Sequence, residues 1–135
     1  HSQGGIEAAW IAGHTDDFTI AQVVTAGSPV AGMPVPATTQ MLSLEHHGDV
    51  MPLLDGEDNP DALNHVTVGF GVDDPAPDLA GNHAMEHYVS GAAEVDASTH
   101  PSVVAAVDGL HHGGFLTGET SEVTHQAFQI TRVPR

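Results

Sequence analysis

The residues with the clearest chemical potential stand at the start of the chain, His1-Ser2-Gln3-Gly4-Gly5. They have the look of a nucleophile elbow, a sharp strand-to-helix turn whose small neighbours let a serine stand out strained and exposed. The leading glycine of that pattern would fall one position before His1, and Ser-X-Gly alone is a common triplet. The flanks add weight. Two glycines behind the serine permit close packing, and Ile6 to Ala12 reads as a helix whose N-terminal dipole would point at the serine oxygen. The plainer reading is a Ser/Gly-rich terminus without chemistry.

An acyl-transferring serine needs a base within hydrogen-bond reach and an acid that orients the base. Asp49 and His83 are the best placed candidates, in loops at the same end of expected parallel strands. Asp55 competes for the acid role from within a solvated acidic turn. His87, one helical turn beyond His83, competes for the base, with His111, His112 and His125 behind it. His46 and His47 flank Asp49 and read as surface or supporting residues. Trp10 reads as core packing, and Ser28 as a weak second nucleophile because Pro29 follows it.

The elements that must hold these residues alternate along the chain. A helix is expected over residues 4–13. Ile20 to Ala26 is a β-branched apolar run with the look of a strand buried on both faces. A Gly/Pro-rich loop runs from Val30 to Thr39. Met41–Glu45 reads as a second strand, Leu53–Ala62 as an acidic turn region, and Asn64–Phe70 as a third strand. Residues 73–78 read as loop, His83–Val95 and Pro101–Leu110 as helices, and His125–Val133 as a final edge strand. The sum is a single α/β domain over residues 1–135, with a mostly parallel sheet of three or four strands and flanking helices.

Composition narrows the function classes. Eighteen acidic residues face two arginines and no lysine, for a formal net charge of −16. Nucleic acid is excluded as a partner, since no basic surface exists to neutralise phosphates. Cysteine is absent, which removes disulfide and thiol chemistry. Nothing resembles a signal peptide or a membrane span, so a soluble protein is expected, cytoplasmic or secreted. No phosphate loop and no glycine fingerprint after a strand is present, so no cofactor is expected.

Taken together, these segments resemble bacterial α/β-hydrolases of the lipase and esterase kind. His1-Ser2-Gln3-Gly4-Gly5 is similar to their Gly-His-Ser-Gln-Gly-Gly elbow, and residues 23–30 to the strand and turn after the elbow helix. Leu44 to Gly56 resembles the Asp-X-Val-Pro segment that carries the triad acid, and His83 with Tyr88-Val89 the segment that carries the histidine. The family's chain order of Ser, acid, His is also kept. The resemblance implies Ser2 as nucleophile, Asp49 as acid, His83 as base and the Gln3 backbone N–H as an oxyanion donor. It implies ester substrates, whether small molecules or lipids.

In that family several strands and the second oxyanion donor precede the elbow, so the chain reads as the C-terminal half of a hydrolase domain. Half a parallel sheet would leave an unpaired edge and uncovered apolar faces, and the expected partner is the missing half or a self-associating copy. Losing one oxyanion donor costs about 10²–10³ in rate, so little or no activity is expected of this chain alone.

Two other classes compete. His83-Ala84-Met85-Glu86-His87 matches the inverted zinc-protease pattern H-x-x-E-H, with Glu119 or Glu122 as a third ligand. A non-catalytic module docking on a missing half is the other. The Asp55–Asp61 turn offers oxygens to Ca²⁺, but it lacks EF-hand spacing and reads as a solvated loop.

Overall fold

The computed structural model describes residues 1–72, 78–116 and 126–127. The expected final strand over 125–133, the loop at 73–77, and Glu119, Glu122 and His125 fall wholly or largely outside the described residues.

Three strands form a parallel sheet in the order β1-β2-β3, with β1 at Gln22–Ala26, β2 at Gln40–His46 and β3 at His65–Phe70. Apolar runs explain them, β-branched in β1 and β3 and built on Met41, Leu42 and Leu44 in β2: side chains alternate between faces, and each face finds its own cover. Helix α1, Gln3–His14, packs on one face, where Ala9 and Ala12 meet Val23, Val30 and Met41. Helices α3, Met85–Asp96, and α4, Pro101–His112, cover the other, where Leu42, Leu44 and Phe70 meet Tyr88, Val95, Val103 and Leu110. A one-turn helix α2, Leu79–Asn82, precedes α3. The expected α/β architecture is therefore present, with three parallel strands between helical layers. No helix among the described residues is long and apolar enough to cross a membrane.

The strand crossovers carry little helix. Residues 27–39 and 47–64 run over the α1 side with a single 3₁₀ turn at Met51–Leu53. They are pinned by buried Asn59, whose Nδ2 donates to Ser28 O (2.9 Å) and Glu45 Oε1 (2.7 Å) while its Oδ1 accepts from Val30 N (3.0 Å). Beneath them the α1 face of the sheet is partly polar. Thr25 Oγ1 hydrogen-bonds Ser43 Oγ at 2.9 Å, and Ser43 Oγ hydrogen-bonds His65 Nε2 at 2.8 Å, a buried chain across all three strands.

Several local expectations are corrected. The first strand is not buried on both faces: Val24, in mid-strand, is 47% exposed. Trp10 is not core; more than half exposed, it stacks on His14 with ring centroids 4.4 Å apart. The helix expected from His83 begins only at Met85, because His83 is drawn out of line by its contact with Asp49.

Candidate active site

The three proposed triad residues gather at the C-terminal ends of the strands, where an open parallel sheet offers its crevice. Ser2 sits just before α1 with φ 55° and ψ −128°, the only non-glycine residue with positive φ among the described residues. Such backbone costs about 1–3 kcal/mol and persists only where the surroundings impose it. Two bonds do so here. Ser2 N–H donates to Ala26 O at the end of β1 (2.9 Å), and Ser28 Oγ donates to Ser2 O (2.7 Å). A serine ahead of a helix ordinarily caps it through its side chain. Ser2 makes no such bond, which leaves its hydroxyl to other work.

Asp49 reaches the same place from β2. Gly48, at φ 86°, turns the chain after His47, and Asp49 N–H closes the turn on His46 O at 3.0 Å. The Asp49 side chain is fully buried. Its Oδ1 accepts from Met51 N at 2.9 Å, and its Oδ2 lies 2.6 Å from His83 Nδ1. An ionised carboxylate only accepts, so Nδ1–H donates and Nε2 is left as the basic nitrogen. Tyr88 Oη donates a second, short bond to Asp49 Oδ2. Burial, followed by the bond to Asp49, pushes the Tyr88 phenol well above its ordinary range.

His83 caps the end of α2, and Asn82 Nδ2 ties that turn to Gly48 O at 3.3 Å. His1 links the Ser2 turn to His83: its ring stacks on His83 at 4.4 Å and its Nε2–H donates to His83 O at 3.1 Å. Among the described residues no hydrogen bond joins Ser2 Oγ to the His83 ring. Asp49 and His83 thus meet directly, and Ser2 is tied to His83 through its neighbour His1. Catalytic hydrogen bonds commonly tighten only when substrate binds. Gln3 is the first residue of α1, so its N–H is one of those a helix cannot satisfy internally and is oriented for an anion at the turn.

The competing residues lie elsewhere. Asp55 is exposed, and its Oδ2 holds Ala31 N at 3.0 Å. Ser28 is 1% exposed and donates to the Ser2 carbonyl, which makes it a support of the turn. His87 does not share a helix face with His83, since His83 precedes α3; its ring stacks on His46 at 4.3 Å. The zinc pattern thus lacks the continuous helix that would aim both rings at one ion. His46 is buried against Phe70 and is no surface residue; burial, then the His87 ring, hold its imidazole below the usual range. His111 and His112 stand in the last turn of α4.

Sequence reasoning gave Tyr88 no role of its own. The signals were there: it is the only tyrosine in the chain, and it shares a helix face with Gly91 and Val95. A scan against protein-family models finds no match to this chain, and searches of curated proteins and of solved structures find none either.

Proposed function

We propose that this chain carries the catalytic residues of a serine hydrolase acting on carboxylic esters, of the α/β-hydrolase kind. The observation that carries the reading is the hydrogen bond from His83 to the buried Asp49 carboxylate, 2.6 Å long, set beside the strained turn of Ser2. In the proposed reaction Ser2 Oγ attacks the ester carbonyl carbon as His83 Nε2 takes the hydroxyl proton. Collapse of the tetrahedral adduct breaks the bond to the alcohol, which leaves with that proton. Water then attacks the acyl-serine, again giving its proton to His83, and the acid departs as Ser2 recovers its own. Asp49 holds the imidazole tautomer and stabilises the imidazolium, and the Gln3 N–H receives the developing oxyanion.

The reading includes a further strand along the edge of β1 that is unpaired among the described residues. The Ser2 N–H bond to Ala26 O supports it, because it sets residue 2 at the C-terminal end of that edge, where a parallel strand would deliver the chain into the turn. Such a strand would complete the oxyanion site, and the chain as described is proposed to turn over esters poorly without it.

The test is fluorophosphonate labelling with peptide mapping, on the purified chain and on the protein from its natural source. Adduct on the peptide holding Ser2, abolished by Ser2→Ala, is the expected result. The intact mass of the labelled species reports what accompanies these 135 residues. No adduct on Ser2 in any species would end the serine reading.

A further inference from the structure

The Asp49 carboxylate is gripped at a single oxygen by two side chains from one segment of chain. His83 Nδ1–H and Tyr88 Oη–H both donate to Oδ2, while Oδ1 is held separately by Met51 N–H. Buried tyrosine hydroxyls generally find some partner, so the bond alone says little. Its surroundings say more. Tyr88 is 2% exposed, its ring meets Phe70 edge-on at 5.5 Å, and His1 and His83 stand around it at 5.2 and 6.4 Å. One aromatic cluster therefore joins His1, His83 and Tyr88 around the Asp49 carboxylate.

The turn after β1 also leaves the phenol its room. Gly27 has φ +60°, and a Cβ there would lie 2.6 Å from Tyr88 Oη and 2.9 Å from Asp49 Oδ2. Tyr88 lies in the first turn of α3, which docks on Phe70 through Gly91, so the phenol is placed by the helix-to-sheet contact rather than by its own flexibility.

We infer that Tyr88 is a positioning residue for the Asp49–His83 pair: its hydroxyl fixes the rotation of the carboxylate so that Oδ2 faces the imidazole. The inference rests on the serine-hydrolase reading for its purpose, and on the hydrogen bonds alone for its mechanism. Without the phenol, Oδ2 keeps one side-chain donor instead of two, so the rotation of the carboxylate, and with it the orientation of the imidazole, is held less firmly.

The test uses the 135-residue chain with Tyr88→Phe, Asp49→Asn and the double variant, read by the rate of fluorophosphonate labelling and by the low-field proton resonance of the His83 Nδ1–H bond. Tyr88→Phe is expected to slow labelling by about 10- to 100-fold, the range in which outer hydrogen-bond partners act. The double variant is expected to label no more slowly than Asp49→Asn, because Tyr88 acts through that carboxylate. A merely structural tyrosine would give additive losses, and that outcome, or unchanged labelling by Tyr88→Phe, overturns the inference.

If the parent chain fails to label, the resonance decides alone, while the serine-hydrolase reading stands or falls on labelling of the protein from its natural source. A resonance moved or broadened in Tyr88→Phe keeps the positioning role; one left in place removes it. Should Tyr88→Phe fold poorly, biosynthetic 3-fluorotyrosine substitutes at this one position only, since the chain has a single tyrosine. It keeps the ring, strengthens the donor and is expected to shift the same resonance; an unmoved resonance counts against the inference.

Discussion

The two glycines behind Ser2 should respond to alanine with opposite signs. A Cβ at Gly5 would collide with Ser28 Oγ and come within 2.6 Å of Ser28 Cβ and 3.1 Å of Thr25 Cβ. A Cβ at Gly4 meets nothing within 4 Å. For Gly5→Ala, overpacking costs about 1–3 kcal/mol. Displacing Ser28 from the Ser2 carbonyl adds about 0.5–1.5 kcal/mol. The helix propensity of alanine returns about 1 kcal/mol. The net loss is about 1–3 kcal/mol. Gly4→Ala keeps only the gain, so it should be neutral or up to about 1 kcal/mol more stable. The gap of about 1–4 kcal/mol is read by urea unfolding of both variants, with equal m-values as the sign that only stability changed. In a thermal melt, at about 4 °C per kcal/mol, it separates the midpoints by about 4–16 °C. Gly5→Ala should also slow labelling of Ser2, because Ser28 anchors the strained turn. A Gly5→Ala protein as stable as Gly4→Ala would refute the close approach of α1 to β1 on which the turn depends.

Four further outcomes are expected. Asp49→Asn should lower the rate of Ser2 labelling by about 10⁴, the scale on which a wrong imidazole tautomer acts, and labelling at the parent rate would remove Asp49 from the site. The single tyrosine should stay un-ionised in the native protein through pH 11 by ultraviolet absorbance and titrate near 10 once unfolded; native ionisation near 10 would contradict its burial against Asp49. Burial lowers the His65 pKa below 6.5, so the unfolded chain binds more protons there. Stability should hold above pH 6.5 and decline as pH falls from 6.5 toward the lowered value. His65→Gln, which can still bond Ser43, should flatten that slope in urea titrations, and an unchanged slope would clear His65 of the effect. Burial raises the Glu45 pKa above 4.5, so its contribution is complete below 4.5 and is lost as pH rises through the raised value. Glu45→Gln, which keeps the bond from Asn59, should therefore gain stability at pH 7 but not at pH 4, and equal effects at both would refute the assignment.

The sequence was most legible where local chemistry and tertiary structure agree. The three strands follow short apolar runs, β-branched in β1 and β3, Pro101 opens α4 and Gly113-Gly114 closes it, each within a few residues of the expected place. It was least legible where a distant contact overrides propensity. Nothing between His83 and Val95 announces a helix start at Met85; the break follows from the pull of Asp49 on His83. Gly91 looks like a weak point in a helix, yet it is the place where α3 meets the Phe70 ring. His46 was readable in principle, since it continues the alternation Leu42, Leu44, His46 onto the apolar face of β2. At the candidate site, the strained turn at Ser2 was legible from its glycine neighbours, and the place of Asp49 from its loop past the end of β2. The sharing of Asp49 Oδ2 by His83 and Tyr88 was not, because no local pattern encodes a meeting of residues 39 positions apart.

The buried chain Thr25–Ser43–His65 bears on how the sheet finds its alignment. A parallel strand displaced by two residues still sends the right side chains to each face, so apolar packing alone distinguishes such a slip poorly. Here β1 pairs Thr25 with Ser43, and β2 pairs Met41 with His65, which places Ser43 within reach of both partners at once. Any shift of two separates the hydroxyls from each other or from the imidazole, and each polar group then left buried and unpaired costs about 1–3 kcal/mol. Three polar residues thus act as a key that only one alignment fits, which makes Thr25→Val or Ser43→Ala a way to obtain misaligned sheets from an otherwise intact hydrophobic pattern.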